Sequence, residues 1–473
     1  MTLRNRVLGL CLLALSAAWT GAAFAQDPGG DARTGSSWTV PSSEEIRELL
    51  ADRMQHNGVG VVVGVIDAGG RRVISYGRTG AEDGRPLDGN TVFQIGSLTK
   101  VFTTLLLAEM VERGEIGLDD PASKCLPPGV MLPERGRPIT LRDLATHVSG
   151  LPSMPTDYDL EAEPDPYEAY SLEQLHRFLS SHSLEREPGM QWAYSNLGVA
   201  LLGHLLAHWA GMDYEALLEE RILRPLGMAS TSITLPEDQS RRLAPGHDRY
   251  LEPVRTWEMA TLPASGSLRS TAEDMLTLLA AYLGYESTPL ASAMSLQLGE
   301  RIPRDDAWQA LGWVIRSDGI VRHAGGKQGY RSGVAFDPRT GVGAVVLANA
   351  RTDDEPLDLA IHLVTGSPLP PAPPAPVRKR VTIDPAVLDR YAGRYRLGPD
   401  RVLEVARKES HLLVHSPGSG VSEFFPTGPT DFFLITGNDE ITFQFEGGRV
   451  TGLILYGDGR DAGGGRLAPR TPD

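Results

Sequence analysis

Two segments with the alternating pattern of β-hairpins lie far apart in this chain and constrain its fold. The first, GVGVVVGVIDAGGRRVISYG at 58–77, has a β-branched run, a Gly-Gly turn and a second alternating run. The second, SGVAFDPRTGVGAVVLANA, occupies 332–350. The sequence between them contains stretches with helical apolar spacing, among them 99–113, 196–210 and 272–282. A sheet formed by both hairpins, with a largely helical insertion, predicts an α+β fold.

A proline-rich run separates a second folded unit from the first. Residues 365–382 begin with TGSPLPPAPPAPVRK, a composition typical of an extended linker. Short apolar segments recur after it, including RVLEVAR, HLLVHS, DFFLIT, ITFQFE and VTGLILY, and each is bounded by Gly, Pro, Asn or Asp. Such regularly spaced short strands predict a small antiparallel β-barrel. We therefore predict one unit at 41–364 and a barrel at 383–470.

The first 25 residues have the composition of an export signal. Two arginines precede an apolar stretch, and Ala-Phe-Ala at 23–25 matches the small-residue pattern of a cleavage site. The apolar stretch is shorter than the roughly 20 residues that a membrane span needs. We interpret 1–25 as a signal peptide and the Gly-, Ser- and Asp-rich residues 26–40 as a flexible tail. The sequence thus predicts a periplasmic or secreted protein with no membrane span.

The charge balance argues against nucleic acid as a partner. The chain has 60 acidic and 45 basic residues and a net charge of −15. It contains no run of five or more basic residues, such as those that displace counterions from a phosphate backbone. The charge leaves a small-molecule or peptide substrate open as the partner.

The segment FQIGSLTKVF places a serine and a lysine three residues apart at the start of a predicted helix. Ser97 and Lys100 would lie on one face of this helix, so Lys100 could accept the Ser97 proton. Gly96 would allow close approach of the backbone, and the free N–H groups of the helix start could stabilise an oxyanion. The same short pattern also fits an N-cap serine followed by a surface lysine. This motif alone does not decide between the two interpretations.

Two motifs further along the chain favour the catalytic interpretation. WAYSNLG places Tyr194 two residues before Asn196, and VRHAGGKQG places His323 two residues before Gly325. With Ser97 and Lys100, these motifs resemble the S-x-x-K, Y-x-N and K/H-x-G motifs of the β-lactamase-related serine hydrolases. That family includes class C β-lactamases, penicillin-binding DD-peptidases and AmpH-type enzymes. LDDPASKCLPPG, PITLRDLATHVSGLP and GSLRSTAEDM extend the likeness, and LDRYAGRYRL resembles the lipocalin-like barrel appended to some members.

The resemblance implies a β-lactamase/transpeptidase-like fold and a covalent acyl-enzyme on Ser97. Lys100 and Tyr194 would together accept the serine proton and return it to the leaving group. The charge of Lys100 would stabilise a Tyr194 phenolate, which is otherwise a rare species at neutral pH. No metal or cofactor is implied.

The other residues of these motifs would bind the substrate. Asn196 would hold Lys100 and a substrate amide, and the backbone N–H groups of Ser97 and Gly326 would bind the oxyanion. Gly325 and Gly326 would keep side chains away from the site. His323 would take the position of the motif's first residue. His147, in THVSG, is interpreted as a structural loop residue.

The implied substrates are D-amino-acid-containing peptides, as in a DD-carboxypeptidase or endopeptidase. A class C-like β-lactamase, an esterase and a non-catalytic binding module of the same fold are the alternatives. The third motif has His323 and Ala324 where efficient β-lactamases have Lys-Thr, which predicts a weaker hold on a substrate carboxylate and slow β-lactam turnover. Lys327 or Arg331 could supply the missing charge. The sequence leaves the oligomeric state open.

Overall fold

The structure is a computed structural model that describes residues 38–54, 59–162, 166–255, 258–350, 355–371, 379–399, 401–435, 439–457 and 464–471. The predicted signal peptide, most of the predicted tail and part of the predicted linker lie outside these residues. From Val40 onward the chain clusters as one compact unit. The unit boundaries at 41–364 and 383–470 stay predictions. In the described ranges, no helix combines the length and apolar character that crossing a bilayer requires.

An eight-stranded antiparallel sheet organises the larger part of the chain. The predicted hairpins are both present and adjacent, because Val61 on the first pairs with Ala348 on the second. The strand order is β2-β1-β10-β9-β8-β7-β6-β5, and β3 and β4 pair separately. These strands are β1 (Gly60–Asp67), β2 (Gly70–Gly77), β3 (Phe93–Gln94), β4 (Arg269–Ser270), β5 (Arg301–Arg304), β6 (Ala307–Ala310), β7 (Val314–Arg316), β8 (Val321–Lys327), β9 (Tyr330–Asp337) and β10 (Val342–Ala348).

Helices cover both faces of this sheet, which explains why β1 is apolar at almost every position. Val62 and Val63 are both fully buried, yet they belong to apolar clusters on opposite faces. The helices are α1 (Ser43–Met54), α2 (Thr99–Glu112), α3 (Leu141–Ala145), α4 (Leu172–Ser181), α5 (Asn196–Ala210), α6 (Tyr214–Leu218), α7 (Arg224–Leu226), α8 (Glu237–Arg242), α9 (Ala272–Tyr282), α10 (Ala291–Gly299), α11 (Pro356–Thr365) and α12 (Pro385–Leu388). The helical insertion expected between the hairpins is confirmed.

The C-terminal strands form the predicted small antiparallel barrel. Eight strands follow one another in sequence order, and a bridge between Tyr395 and Arg470 brings the first strand next to the last. Tyr391, Phe432 and Phe443 fill its interior with buried aromatic rings. The strands are β11 (Gly393–Arg396), β12 (Val402–Lys408), β13 (His411–Ser416), β14 (Gly420–Pro426), β15 (Asp431–Leu434), β16 (Glu440–Glu446), β17 (Arg449–Tyr456) and β18 (Arg466–Pro469).

Candidate active site

Ser97 lies in a short 3₁₀ turn, Gly96–Leu98, that leads directly into α2. The N-cap residue of α2 is Leu98, and no side chain caps the helix, so Ser97 does not serve as an N-cap. Gly96 has φ 53°, and a Cβ there would lie 2.7 Å from the backbone nitrogen of Gly326. Glycine at this position therefore allows the turn to approach β8 closely.

The Ser97 hydroxyl contacts the two other residues predicted to be catalytic. Lys100 Nζ lies 3.1 Å from Ser97 Oγ, and the Tyr194 hydroxyl donates to the same oxygen at 2.8 Å. Lys100 is fully buried and also donates to Asn196 Oδ1 at 2.8 Å and to the Ser265 carbonyl at 2.6 Å. The interpretation of Lys100 as a surface residue is therefore wrong. The structure brings Ser97, Lys100, Tyr194 and Asn196 into one hydrogen-bonded group.

Burial shifts the pKa values of the two candidate bases, Lys100 and Tyr194, in opposite directions. It lowers the pKa of Lys100 well below its usual value, because the ammonium form loses its hydration. It raises the pKa of Tyr194 to about 12, although the hydrogen bond to Ser97 acts in the opposite direction. The predicted Tyr194 phenolate is therefore not favoured. A neutral Lys100 amine is the better proton acceptor, and Tyr194 can donate a hydrogen bond as a neutral phenol.

The third motif lies on β8, directly beside the Ser97 turn. A Cβ at Gly325 would lie 2.0 Å from the Ile95 carbonyl oxygen, so the strand cannot carry a side chain there. His323 is buried, and its Nδ1 lies 2.7 Å from the Ala324 carbonyl oxygen. Burial and then the nearby Lys100 lower the pKa of His323 to about 3. His323 is thus neutral at physiological pH and supplies no cation to a substrate.

Most of β8, residues 323–327, presents a strand edge beside Ser97. β7 pairs with β8 only through Val314 opposite Arg322 and Ile315 opposite Val321. In the described structure, residues 323–327 pair with β9 on one edge and have no β7 residue on the other. An extended peptide could use this edge for backbone hydrogen bonds.

Arginines beside Ser97 supply positive charge that His323 lacks. Arg304, Arg322 and Arg331 line a cavity of about 320 Å³ that contains Ser97 and Tyr194. Glu355 lines the same cavity and pairs with Arg331 at 3.5 Å, so the net positive charge comes from Arg304 and Arg322. The Arg304 guanidinium lies 3.7 Å above the Trp192 ring. Within the described ranges, neither Arg304 nor Arg322 forms an ion pair, and Arg322 Nε is buried without a hydrogen-bond partner. The cavity can therefore accept an anionic group.

Little in the sequence indicates that these arginines belong together. Arg304 lies at the end of β5 and Arg322 on β8, and only the pairing of β5 to β8 brings them into one cavity. Arg331, which follows the third motif in the sequence, lies opposite Gly326 on β9. It lines cavities on both sides of Ser97.

His147 supports Tyr194, a role beyond that of the loop residue inferred from the sequence. Its backbone has φ 62°, which is uncommon for a residue with a Cβ. His147 Nδ1 accepts the backbone N–H of Ser195 at 3.2 Å, and its ring centre lies 4.6 Å from that of Tyr194. Burial lowers the pKa of His147 well below its usual value, which keeps the accepting nitrogen unprotonated. His147 therefore positions the Tyr194 segment.

No metal-binding cluster occurs near these side chains. Across the described residues, histidine, cysteine, aspartate and glutamate side chains nowhere gather in a group of three or more that could hold a metal ion.

Replacing Tyr194 by phenylalanine should slow acylation by about 10²-fold, the lower end of the range for general acid–base groups. The ring would keep its contact with His147, while the hydroxyl 2.8 Å from Ser97 Oγ would be lost. Pre-steady-state acylation of a nitrophenyl ester measures the effect. Tyr158→Phe is the matched control, because it also removes a buried hydroxyl but lies outside the cavities that contain Ser97. Equal rates in both variants would contradict a role for the Tyr194 hydroxyl.

A serine held beside a buried lysine and a tyrosine hydroxyl, at the start of a helix, defines a serine hydrolase that acts by acyl transfer. Comparison with protein families supports this assignment to the serine hydrolases. The chain belongs to the Beta-lactamase family, which matches residues 46–365. Residues 377–465, which include most of the barrel, match a domain of unknown function, DUF3471. The predicted fold and enzyme class are thereby confirmed.

Named relatives match about two thirds of the chain or more. The D-alanyl-D-alanine-carboxypeptidase/endopeptidase AmpH of Escherichia coli K12 is 35% identical over 329 residues, which cover 64% of this chain and 83% of AmpH. Penicillin-binding protein 4* of Bacillus subtilis is 28% identical over 453 residues, covering 88% of this chain and 96% of that protein. A class C β-lactamase structure from Rhodobacter sphaeroides has a TM-score of 0.58 and 29% identity, covering 66% of this chain and 95% of the other.

Proposed function

We propose that this protein is an exported serine hydrolase that cleaves D-amino-acid-containing peptides with a free C-terminal carboxylate. Ser97 Oγ would attack the scissile carbonyl while the Lys100 amine takes its proton. The oxyanion would face the backbone N–H groups of Ser97 and Gly326. Export is proposed from the sequence of residues 1–25.

The acyl-enzyme would form and break down in two balanced steps. In the first, the bond between the acyl carbon and the leaving nitrogen breaks, and the proton held by Lys100 passes to that nitrogen, with the Tyr194 hydroxyl as a relay. In the second, water attacks the Ser97 ester and gives a proton to Lys100. The acyl group leaves as a carboxylic acid, and Ser97 Oγ regains its proton.

The observation that carries the carboxylate requirement is the set of arginines beside Ser97. Arg304 and Arg322 form no ion pair among the described residues, although nearby aspartates partly offset their charge. Arg331 lies beside Gly326 and pairs with Glu355 at 3.5 Å. Buried or half-buried arginines without partners are costly unless a ligand supplies the counter-charge. A guanidinium also binds a carboxylate through paired hydrogen bonds. A leaving group that ends in a carboxylate fits this cavity better than a neutral ester does.

The choice of D-amino-acid peptides draws on the similarity to AmpH, whose name states a D-alanyl-D-alanine carboxypeptidase and endopeptidase activity. The strand edge at 323–327 supports a peptide, because an extended backbone could pair with it.

β-Lactam hydrolysis is the second candidate function. The likeness to the Rhodobacter sphaeroides class C β-lactamase favours it, and β-lactams also carry a carboxylate. Neither the neutral His323 nor the methyl side chain of Ala324 binds that carboxylate by charge, so a charge-based hold on it falls to the arginines beside Ser97. Assays of D-Ala-D-Ala peptides, a chromogenic cephalosporin and nitrophenyl esters on one preparation would rank these substrates.

Replacing Arg322 by glutamine should lower kcat/KM for a peptide ending in D-Ala-D-Ala by about 10- to 100-fold, the value of one charge-assisted hydrogen bond. The same peptide with a C-terminal amide should be affected much less, since it presents no carboxylate. Release of D-alanine or its amide measures both rates.

The matched control is Arg301→Gln, which removes an exposed arginine from β5 outside the cavities that contain Ser97. It should leave both rates near those of the parent. If the parent prefers the amide, or if Arg322→Gln slows the acid and the amide equally, the proposed carboxylate site is wrong. A parent that turns over cephalosporins faster than these peptides would favour the β-lactamase alternative.

A further inference from the structure

The barrel packs against the hydrolase part through an apolar and hydrogen-bonded contact. Leu413 and Val421, on β13 and β14, belong to the same buried cluster as Met154 and Tyr158. The Tyr167 hydroxyl donates to the Val421 carbonyl at 2.8 Å and accepts the Val421 N–H at 3.0 Å. The turn between β13 and β14 is therefore fixed beside the loop that carries Tyr167.

This contact places barrel residues in a cavity next to the catalytic serine. A cavity of about 250 Å³ contains Ser97 and Asn196 and is also lined by Ser419, Val421 and Ser422 of the barrel. Ser419 is exposed in the β13–β14 turn, and Ser422 is half-buried on β14. One wall of the cleft is therefore made by the C-terminal barrel.

The two cavities beside Ser97 differ in the part of a substrate that each can receive. Tyr194 lines the arginine cavity, and in the proposed reaction it relays a proton to the leaving group. Asn196 lines the cavity bounded by the barrel, on the side of the substrate amide. The leaving group would thus lie in the arginine cavity, and the acyl group would lie against the barrel.

Polar side chains outnumber apolar ones in the lining of the acyl side. Lys327, at the end of β8, and the following Gln328 join Ser419 and Ser422, and the apolar side chains are those of Met154, Met259 and Val421. Hydroxyl, amide and ammonium groups can bind the backbone of a peptidyl group, but they would lose hydration without compensation against an alkyl chain. The barrel residues bound this cavity on one side.

We propose that the barrel selects the acyl group, so that Ser97 accepts short peptidyl groups and rejects long alkyl chains. The inference rests on the acyl-enzyme of the proposed function but not on the identity of the leaving group. Substrates that share one leaving group and differ in the acyl group therefore test this inference alone.

The test uses three p-nitrophenyl esters: acetate, N-acetyl-D-alanine and octanoate. For the parent protein we expect kcat/KM to be higher for the N-acetyl-D-alanyl ester than for the octanoate. Ser419→Trp, which adds a large side chain to the wall, should lower the ratio of the N-acetyl-D-alanyl rate to the acetate rate by about tenfold, equivalent to about 1.4 kcal/mol. Thr451→Trp, an equal change at an exposed barrel position outside the cavity, should leave this ratio unchanged.

A second variant keeps the test decisive if Ser419→Trp does not fold. Tyr167→Phe removes both hydrogen bonds to Val421 and keeps the ring, so a loosened wall should raise the octanoate rate relative to the acetate rate several-fold. A parent that prefers octanoate, or a Ser419→Trp or Tyr167→Phe protein with parental ratios, would overturn the proposal. Failure to release D-alanine from D-Ala-D-Ala peptides would instead contradict the proposed function and leave the ester ratios interpretable.

Discussion

Replacing Lys100 by methionine should lower kcat/KM by about 10²- to 10⁴-fold, the range expected when a general base is removed. Methionine has nearly the length of lysine and suits a buried site, but it cannot accept the Ser97 proton. The parent rate should rise with pH through the lowered pKa of Lys100, because only the neutral amine acts as a base. Initial rates across a pH series, on one ester and one peptide, measure both effects.

Surface replacement of a lysine gives the control for this experiment. Lys124→Met removes a lysine whose side chain is 49% exposed and should keep the parental rate and pH profile. A Lys100→Met protein that folds and retains a rate within a few-fold of the parent would contradict the assignment of the base.

The free energy of unfolding should also depend on pH through the lowered pKa of Lys100. The pKa of Lys100 is lower in the folded protein than its ordinary value of 10.5, so between these two values the unfolded chain binds more protons at this residue. The free energy of unfolding of the parent should therefore rise with pH across that window. Lys100→Met should lack this contribution, and denaturant titrations at several pH values would show the difference.

Much of the catalytic group could be predicted because short motifs fix it locally. Ser97 and Lys100 are one helical turn apart, and Tyr194 and Asn196 stand just before and at the start of α5, so secondary structure alone determines most of their geometry. Protonation states could not be predicted in the same way. The pKa of Tyr194 depends on how completely its hydroxyl is buried, and this burial is set by tertiary packing.

Residues that act through long-range packing left little signal in the sequence. The arginine cavity depends on the pairing of β5, β6, β7 and β8, which are short strands without a clear alternating pattern. The barrel itself was recognisable from evenly spaced apolar segments, but its contact with the Tyr167 loop was not. Leu413 and Val421 look like ordinary strand residues until the barrel is placed against the larger unit.

The helices also show what apolar spacing in the sequence can and cannot predict. Asn196–Ala210 and Ala272–Tyr282 occur where apolar spacing predicted them, and Ser195 and Thr271 cap them. The helix that begins at Tyr214 changes at Glu219–Leu223 to a π-helical turn. Apolar spacing cannot distinguish these two backbone forms.

Ser97→Ala should have the largest effect, with a loss of about 10³-fold or more in kcat, as expected when a covalent nucleophile is removed. The variant should fold as the parent does, because Ser97 contributes one hydroxyl and does not cap α2. Residual hydrolysis would reflect binding and oxyanion stabilisation without an acyl-enzyme.

Intact-mass spectrometry after exposure to a penicillin and to a fluorophosphonate tests the nucleophile directly. We expect the parent to gain the mass of one adduct with at least one of the probes, and fragmentation to place that adduct on Ser97. The Ser97→Ala protein should remain unmodified under the same conditions. If the parent and Ser97→Ala proteins are labelled equally by both probes, Ser97 is not the nucleophile and the account of this site is wrong.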